Sequence, residues 1–256
     1  MKVAIIGAGN MGGAIARGLA QSRLIETANI VVSNPSNDKL LRLKVEHPEL
    51  QTTTSNTEAA TNANLIILAV KPWLVEEVLH ALKLKKGQLL ISLAAGVSFE
   101  RLAHIVGSET TMFRVIPNTA ISERASMTLV ASRNASIEEE EGIVQLFNEL
   151  GQTMLIPESQ IEAATALSSC GIAFVLKYVQ AAMQAGVEMG IRPKEAMTMV
   201  AQSLEGAAQL LLNNETHPSV EIDKVTTPGG ITIKGLNQLE HDGFSSAVIK
   251  AMKASQ

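Results

Sequence analysis

A glycine-rich turn placed between a strand pattern and a helix pattern constrains the fold of this chain most strongly. The β-rich run 3–6 leads directly into the turn 7–12, and residues 11–21 follow with apolar side chains on one helical face. The spacing G-x-G-x-x-G allows a tight turn and a helix that packs closely on the strand. The chain therefore opens with a strand–turn–helix unit that belongs in a layered α/β fold.

The pattern that follows continues this alternation as far as residue 156. Continuous apolar runs predict strands buried on both faces, and amphipathic stretches predict helices between them. Strands are predicted at 3–6, 30–33, 65–70, 89–93, 112–116, 127–131 and 153–156, and helices at 11–21, 38–45, 74–82 and 137–150. The fold class is α/β: residues 1–156 are predicted to form a Rossmann-like, parallel, doubly wound sheet.

Residues 157–256 have a different character. After Pro157 the chain reads as almost entirely helical, with an interruption at 168–171 and a helix from about residue 192 to 212. The last helical pieces are predicted at 235–239 and 244–253. Much of this part is apolar around the whole helix, which a small domain cannot bury alone. We therefore predict an all-helical C-terminal domain that packs on a partner chain.

Composition narrows the possible partners and the compartment. The net charge is −4 and no Lys/Arg block occurs, which argues against nucleic acid or an anionic membrane as the main partner. No apolar run of about 20 residues is visible, so no membrane span is expected. Cys170 is the single cysteine, which favours a reducing compartment, the cytoplasm. The five histidines do not cluster, and no metal site is expected.

The glycine turn is the fingerprint of dinucleotide binding when it lies between a strand and a helix. Gly7 permits the turn, Gly9 lets the backbone approach a pyrophosphate, and Gly12 allows close helix packing. The predicted cofactor contacts in this segment are Gly7, Ala8, Gly9, Asn10, Met11 and Gly12. We therefore predict a nicotinamide cofactor bound at the first strand.

The tip of the second predicted strand bears on the choice of nicotinamide. An NAD-specific site usually has a carboxylate there, which binds the ribose 2′-hydroxyl. Here the tip carries Ser33, Asn34 and Ser36, with Lys39 close behind. Neutral donors and a lysine suit a 2′-phosphate, so NADPH is predicted in preference to NADH. The same residues would also satisfy an ordinary turn.

Further cofactor contacts are expected where later strands end, because this fold binds ligands at the carboxyl edge of its sheet. The predicted contacts are Asn56, Ala69, Val70, Lys71, Pro72, Ala95 and Asn118, of which Asn118 is expected to face the nicotinamide.

Residues 226–232, here called the Pro-Gly-Gly turn, form a second site candidate. Pro228 sharpens the turn, Gly229 and Gly230 let backbone N–H groups approach a ligand, and hydroxyls surround them. A helical pattern follows, so the turn is expected at a helix N-terminus, which favours an anion. The sequence therefore predicts a binding site for a small carboxylate.

Taken together, these segments resemble the pyrroline-5-carboxylate reductase family over nearly the whole chain. The matching motifs are Gly7–Gly12, Asn56-x-Glu58-Ala59, Ala69-Val-Lys-Pro72, Arg114-x-x-Pro-Asn-Thr119, Glu215-x-His-Pro218, Asp223-x-Val225 and Pro228-Gly-Gly-x-Thr232. The resemblance implies NAD(P)H-dependent reduction of 1-pyrroline-5-carboxylate to L-proline, the last step of proline synthesis. It also implies a homodimer through the C-terminal helices, further assembly into rings of dimers, and an active site shared by two chains.

The resemblance also implies roles for individual residues. Thr227, Gly229 and Gly230 would bind the substrate carboxylate, Glu215 would lie near the pocket, and Thr232 would act at the substrate ring nitrogen. The chain departs from the family where Ser168-Ser-Cys-Gly-Ile-Ala173 replaces a Ser-Gly-Ser-Gly-Pro-Ala motif. Ala120 also replaces a proline, and Thr227 a serine.

Three alternatives stay open at this point: reduction of a related cyclic imino acid, a non-catalytic NADP sensor, and a coenzyme-F420 oxidoreductase related through the N-terminal half. A β-hydroxyacid dehydrogenase would need a lysine on the first interdomain helix with an asparagine one turn later. Here Lys177 is followed by Ala181, which argues against that class.

Overall fold

The computed structural model describes residues 1–256 and divides into two compact units, Met1–Ser169 (unit 1) and Cys170–Gln256 (unit 2). The predicted boundary, between residues 156 and 157, follows the change from strands to helices. The contacts within the chain place the division later, after Ser169. One reason is that Ile161 is buried in the apolar core beside the sheet. The helix that begins there therefore belongs to the body of unit 1.

Unit 1 is built on one eight-stranded sheet with the order β3-β2-β1-β4-β5-β6-β7-β8. The strands are β1 Val3–Ile6, β2 Ile30–Ser33, β3 Gln51–Thr53, β4 Leu65–Leu68, β5 Leu89–Ser92, β6 Met112–Ile116, β7 Ser126–Arg133 and β8 Gly151–Leu155. The strand order reverses between β1 and β4, so the sheet is doubly wound, as predicted. In such sheets ligands bind beyond the carboxyl ends of the strands at this reversal.

Two features of the sheet differ from the prediction. β7 is antiparallel to β6, whereas a wholly parallel sheet was expected. Only residues 117–125 join these strands, too few for the helical crossover that a parallel pair requires. β3 was not predicted, because Gln51–Thr53 is polar; it is an edge strand paired only with β2.

Helices cover both faces of the sheet. They are α1 Asn10–Ala20, α2 Asn37–Glu46, α3 Asn56–Thr61, α4 Val75–Leu82, α5 Phe99–Val106, α6 Ile137–Asn148 and α7 Ile161–Thr165, with 3-10 turns at Thr27–Asn29, Pro72–Leu74, Thr119–Glu123 and Glu158–Gln160. Alternate residues of β1, β2, β4, β5, β6 and β7 enter or pack against two separate apolar cores, one on each face, whereas β3 and β8 contribute to neither. α5 was not predicted; Ser98 caps it by accepting a hydrogen bond from the Arg101 N–H.

Unit 2 is all helical, as predicted. Its helices are α8 Gly171–Glu188, α9 Pro193–Asn214, α10 Pro218–Lys224, α11 Ile231–His241 and α12 Phe244–Lys253. α8 and α9 pack on each other, and Ala196 is the one buried hydrophobic residue of the unit. Large apolar side chains such as Leu176 and Leu212 are mostly exposed in the single chain. The single chain therefore leaves exposed the apolar helix faces that the sequence predicted.

The interruption predicted at 168–171 is not a break. Ala166–Cys170 forms a single π-helical turn between α7 and α8, so the helical path continues and is only widened. Such turns occur mostly as local bulges inside α-helices and are frequent at functional sites.

The absence of a membrane span stays a prediction, because one helical segment has the length and composition of a possible span. The helical segment Glu158–Glu188 is long enough, and its most apolar 18-residue window has a mean hydropathy of 1.3. Scattered polar residues hide this property from a search for continuous apolar runs. By length and composition alone this is weak evidence for a span.

Candidate active site

A cavity of about 680 Å³ lies in unit 1 along the carboxyl ends of β1, β2, β4, β5 and β6. The parallel register aligns Ile6 with Ser33 and with Leu68, so the residues that follow these strands meet at one edge. The cavity is lined by Gly7, Gly9, Asn10, Met11, Asn34, Pro35, Lys39, Asn56, Ala69, Val70, Lys71, Pro72, Leu74, Val78, Leu93, Ala94, Ala95, Ile116, Pro117, Thr165 and Ser169. The sheet topology therefore creates the cavity at the predicted place.

The three glycines of the first turn have distinct geometries. Gly7 has a φ of +107°, and a Cβ there would approach the Ala69 carbonyl oxygen to 2.6 Å. A Cβ on Gly12 would overlap the Gly7 carbonyl oxygen and come within 2.8 Å of Ala69 Cβ. A Cβ on Gly9 would meet nothing within 4 Å. Gly7 and Gly12 are thus required by packing, while Gly9 leaves its space open to a ligand.

The N-terminus of α1 opens at the same cavity. Gly9 is its N-cap residue and provides no capping side chain, and no acidic residue lies in the first turn. The first N–H groups of a helix lack intrahelical partners, and together with the helix dipole they attract an anion. The local structure is therefore suited to a pyrophosphate.

A partly buried polar network holds the tip of β2. The Ser33 hydroxyl donates to Asn56 Oδ1 at 2.8 Å, and Asn34 Oδ1 accepts the Ala8 N–H at 3.1 Å. Asn34 Nδ2 donates to the carbonyl oxygen and the hydroxyl of Ser36, at 3.0 and 3.1 Å. Ser33, Asn34, Ser36 and Asn56 are therefore joined within the protein, and this fixes the shape of the strand tip.

All charged residues that line the cavity are positively charged. Lys39 and Lys71 are its only charged residues, both are exposed, and no carboxylate is present. Lys39 extends from α2, which begins just beyond β2. An anionic ligand is therefore favoured at both sides of the cavity.

The structure brings most of the predicted cofactor residues together and separates a few. Gly7, Gly9, Asn10, Met11, Asn34, Asn56, Ala69, Val70, Lys71, Pro72 and Ala95 line the cavity. Ala8, Gly12, Ser33 and Ser36 do not line the cavity; the first three are buried, and Ser36 is exposed. The strand-end segments 94–96 and 117–119 were expected to meet the cofactor, and Ala94 and Pro117 line the cavity. The sequence reasoning missed Leu74, Val78, Leu93, Ile116, Thr165 and Ser169. Leu93 and Ile116 follow or end strands, a signal that was available; the other four come from helical segments.

Asn118 does not line the cavity, although it was expected to face the nicotinamide. It is buried, and its Oδ1 accepts the Ala120 N–H at 3.0 Å. Its Nδ2 donates to the Ser168 carbonyl oxygen at 3.1 Å, and its own N–H donates to the Ser126 hydroxyl at 3.1 Å. Within unit 1 this side chain is therefore occupied by internal contacts.

The Pro-Gly-Gly turn of unit 2 has the predicted form. The Gly230 N–H donates to the Thr227 carbonyl oxygen at 3.0 Å, and Gly229 has a φ of +71°. Gly230 is the N-cap residue of α11, which provides no side-chain cap and has no acidic residue in its first turn. Thr227 and Thr232 are both exposed. The turn thus presents free N–H groups and hydroxyls on the surface of unit 2.

The segment before this turn is held by a small charge cluster. Glu221 accepts hydrogen bonds from Lys224 Nζ at 2.8 Å and from the Thr216 hydroxyl at 2.5 Å, and these contacts lower the pKa of its carboxyl. Glu215 ends α9 with a φ of +51°, and its side chain is exposed. His217 caps α10 by accepting the Ser219 N–H, which is a structural role.

Comparison with known families divides the chain in a similar way. Residues 2–96 match the family described as NADP oxidoreductase, coenzyme F420-dependent, and residues 158–256 match pyrroline-5-carboxylate reductase dimerisation. With the Rossmann-like sheet and its cavity, the first match defines an NAD(P)-dependent oxidoreductase. The second accounts for the apolar faces of unit 2, because a dimerisation domain associates through them.

The relatives define the family. Pyrroline-5-carboxylate reductase 1 of Dictyostelium discoideum is 39% identical over 99% of this chain, which spans 48% of that longer protein. Pyrroline-5-carboxylate reductase 2 of the same organism is 36% identical over 99% of this chain and 90% of its own length. The chain belongs to the pyrroline-5-carboxylate reductase family.

A solved structure supports the same assignment. The Plasmodium falciparum pyrroline carboxylate reductase with NADP bound is 30% identical and has a TM-score of 0.90, covering 100% of this chain and 95% of the other. The fold is therefore shared over both units.

Proposed function

We propose that this protein reduces 1-pyrroline-5-carboxylate to L-proline with NADPH. The observation that carries the proposal is a pair of helix N-termini that follow glycine turns and have no side-chain cap and no acidic residue in the first turn, those of α1 and α11. The first suits a dinucleotide and the second a small carboxylate. The names of the relatives and of the solved structure agree with this reaction.

The cavity of unit 1 fits the cofactor. Gly9 leaves open space beside free N–H groups of α1, and the only charged lining residues are lysines. The preference for NADPH rests on Lys39 and on the absence of a carboxylate at the tip of β2. A 2′-phosphate would gain from Lys39, whereas the hydroxyl of NADH would lack a carboxylate partner.

The Pro-Gly-Gly turn supplies what the substrate needs. The Gly230 N–H is used inside the turn, where it donates to the Thr227 carbonyl oxygen, so Gly230 contributes as the N-cap residue that opens α11. The Gly229 N–H, the first N–H groups of α11 and the Thr227 hydroxyl can hold a carboxylate, and Glu215 can reach the ring nitrogen through water. A bound NADPH supplies the hydride that the imine carbon accepts, while the nitrogen becomes an amine. The Thr232 hydroxyl, in the first turn of α11, can stabilise that nitrogen. No strong general acid is required if the imine is bound in its protonated form.

One observation favours a second substrate class. Ile172 replaces the proline expected at the start of α8, and the helical path is only widened at the π turn. A different pocket wall in this region would suit a related cyclic imino acid with a larger ring. The two substrates share the carboxylate and the C=N bond, so the same turn would bind both.

Assembly and location complete the proposal. We propose a homodimer through the helices of unit 2, with rings of dimers as the larger assembly. The cytoplasm is proposed as the compartment on the ground that Cys170 is the only cysteine.

A turnover assay tests the proposal. Purified protein is given 1-pyrroline-5-carboxylate with NADPH or NADH, and both nucleotide oxidation and proline are measured. We expect stoichiometric proline formation with a larger kcat/KM for NADPH. Faster turnover of the six-membered imino acid would transfer the function to that substrate. Tight NADPH binding without turnover of either imine would indicate a sensor and overturn the enzymatic proposal.

A further inference from the structure

One wall of the cofactor cavity is not part of the sheet. Thr165 and Ser169 line the cavity, and they belong to residues 158–170, which start at Glu158 and end in the π turn. These residues are here called the wall segment. Because this segment follows the last strand, strand pairing does not fix its position. Its contacts with the rest of unit 1 must do so.

Arg114 is a buried charge on the face of the sheet against which this segment packs. It lies in the middle of β6 and is 6% exposed, and its neighbours at alternate positions, Met112 and Ile116, belong to the apolar core that includes Ile161. A buried cation is costly unless it is paired and hydrogen-bonded. An arginine at this position therefore needs a specific partner.

That partner is the first residue of the wall segment. Arg114 Nη1 lies 2.7 Å from Glu158 Oε1, and the same oxygen accepts the Phe99 N–H at 2.7 Å. Arg114 Nε is buried and has no partner, so Glu158 provides the compensation for the guanidinium charge. The junction connects the middle of β6, the first residue of α5 and the start of the wall segment.

The other end of the segment is held by a second polar contact. Asn118, which follows β6, donates to the carbonyl oxygen of Ser168 in the π turn at 3.1 Å. Both attachment points on the sheet side therefore come from β6 and the residues after it. The wall is fixed at its two ends, and Thr165 lies between them.

We propose that Arg114, acting through Glu158, is a positioning residue for cofactor binding. It does not line the cavity; it holds the segment that brings Thr165 and Ser169 to the cofactor. Small displacements of positioning groups have large effects on binding and rate. This inference rests on the proposed function, because it assumes that the cavity binds NADPH.

The experiment measures NADPH dissociation constants and unfolding midpoints for full-length variants. Arg114→Met removes the charge with little loss of volume, and Arg114→Lys retains it. Glu158→Gln keeps an oxygen that can accept the Phe99 N–H. Arg101→Met is the matched control, because Arg101 forms an exposed pair with Glu76 at 3.7 Å in the same unit.

For Arg114→Met we expect NADPH to bind about tenfold more weakly, with a much smaller change in kcat at saturating NADPH. Glu158→Gln should have a smaller effect in the same direction, and the double variant should be no weaker than Arg114→Met alone. Arg114→Lys should recover part of the affinity. Arg101→Met should leave the affinity unchanged.

The outcomes separate this inference from the proposed function. Failure of the wild-type protein to bind NADPH would overturn the proposed function. If the wild-type protein binds NADPH and the folded Arg114 and Glu158 variants bind it equally well, the positioning role is wrong. If the variants have a lower unfolding midpoint but bind NADPH with unchanged affinity, the Arg114–Glu158 contact is only a structural ion pair, and the positioning role is wrong. Should Arg114→Met fail to fold, Arg114→Lys and Glu158→Gln still decide the question.

Discussion

The two units of this chain differ in how much of their apolar surface they bury. Unit 1 buries both faces of its sheet, with two apolar cores that include Ile5, Phe113 and Ile66. In unit 2 only Ala196 is a buried hydrophobic residue, and Leu176 is 60% exposed. Unit 1 therefore completes its core within one chain, whereas the helices of unit 2 depend on a partner, as a dimerisation domain must.

The two candidate sites differ in the same way. The cavity of unit 1 is shaped by polar contacts around the buried Ser33 and Asn34. The Pro-Gly-Gly turn is exposed, and Ile231 beside it is 87% exposed. The proposed cofactor site is thus shaped within a single unit, while the proposed substrate site lies open to water.

The largest effect should come from a glycine of unit 1. Gly12→Ala puts a Cβ into the Gly7 carbonyl oxygen, so we expect loss of NADPH binding together with a lower unfolding midpoint. Gly9→Ala should weaken NADPH binding at an unchanged midpoint, because its Cβ meets no protein atom. Calorimetric titration and thermal unfolding check both.

Gly142→Ala on α6 is the matched control for these two variants. A Cβ there also meets nothing, and Ala is favoured over Gly inside a helix by about 0.5–1 kcal/mol. Equal effects of Gly12→Ala and Gly142→Ala would contradict the packing role of Gly12.

The next effect tests the incomplete core of unit 2. Burying a leucine contributes about 1.5–3 kcal/mol, and a symmetric dimer buries two copies. Leu176→Glu should therefore raise the dimer dissociation constant at least about 100-fold, measured by analytical ultracentrifugation, while NADPH still binds to unit 1.

Leu41→Glu provides the comparison, because Leu41 is 61% exposed on α2 of unit 1. It should leave the assembly unchanged. If both substitutions dissociate the dimer equally, the contrast between the units does not explain association.

A smaller effect is expected at the substrate turn. Thr232→Ala should lower kcat/KM by roughly 1.5–3 kcal/mol, the value of a hydrogen bond to a charged group, and leave NADPH affinity unchanged. Steady-state kinetics with 1-pyrroline-5-carboxylate measure this. Thr198→Ala, an exposed threonine of α9, is the control, and kinetics unchanged in both variants would remove Thr232 from the mechanism.

Cofactor choice should depend on a single exposed charge of unit 1. Lys39→Ala removes about 1 kcal/mol of attraction for a 2′-phosphate, so NADPH should bind roughly fivefold more weakly and NADH equally well. Fluorescence titration with both nucleotides checks the ratio. Lys250→Ala in unit 2 is the control; a parallel loss of NADH affinity would contradict the specificity role of Lys39.

The smallest effect concerns pH. Hydrogen bonds from Lys224 and Thr216 lower the pKa of Glu221 below its usual 4.5, and Arg17 lowers that of Glu46 in unit 1. A lowered folded pKa stabilises the protein above the unfolded value, and the contribution is lost as the pH falls through the folded value. The Arg17–Glu46 pair is exposed, and the half-buried Glu221 has an exposed lysine as its partner, so the loss should be slight.

Unfolding midpoints measured as the pH falls from about 6 to about 3 check this prediction. Glu221→Gln and Glu46→Gln should each flatten the pH dependence a little. A midpoint that rose on acidification through the contribution of either residue would contradict the sign.

The comparison also shows which parts of the molecule could be read from the sequence. β1, β2 and β6 have the predicted bounds, because continuous apolar runs are a strong signal for buried strands. The edge strand β3 lacked this signal, since Gln51–Thr53 is polar and is defined by its pairing with β2. The antiparallel direction of β7 follows from the short connection 117–125. Hydrophobic periodicity does not reveal the direction of a strand.

The glycine turn and the Pro-Gly-Gly turn were found from the sequence because local conformation determines them. The positive φ angles of Gly7 and Gly229 and the close approach of Gly12 to the Gly7 carbonyl oxygen are local features of each turn, although Ala69 also limits the space at Gly7 and Gly12. The sequence by itself thus determined the family, the two kinds of unit and the local form of the two glycine turns.

The tertiary structure decided the use of residues whose partners are far away along the chain. It assigned Asn118 to Ser168 and Arg114 to Glu158, and it brought Thr165 and Ser169 to the cofactor cavity. Such contacts arise from packing between elements, and the free energy of burying a polar group depends on what surrounds it in space. That environment is absent from the linear sequence and appears only when the segment after the last strand packs on the sheet.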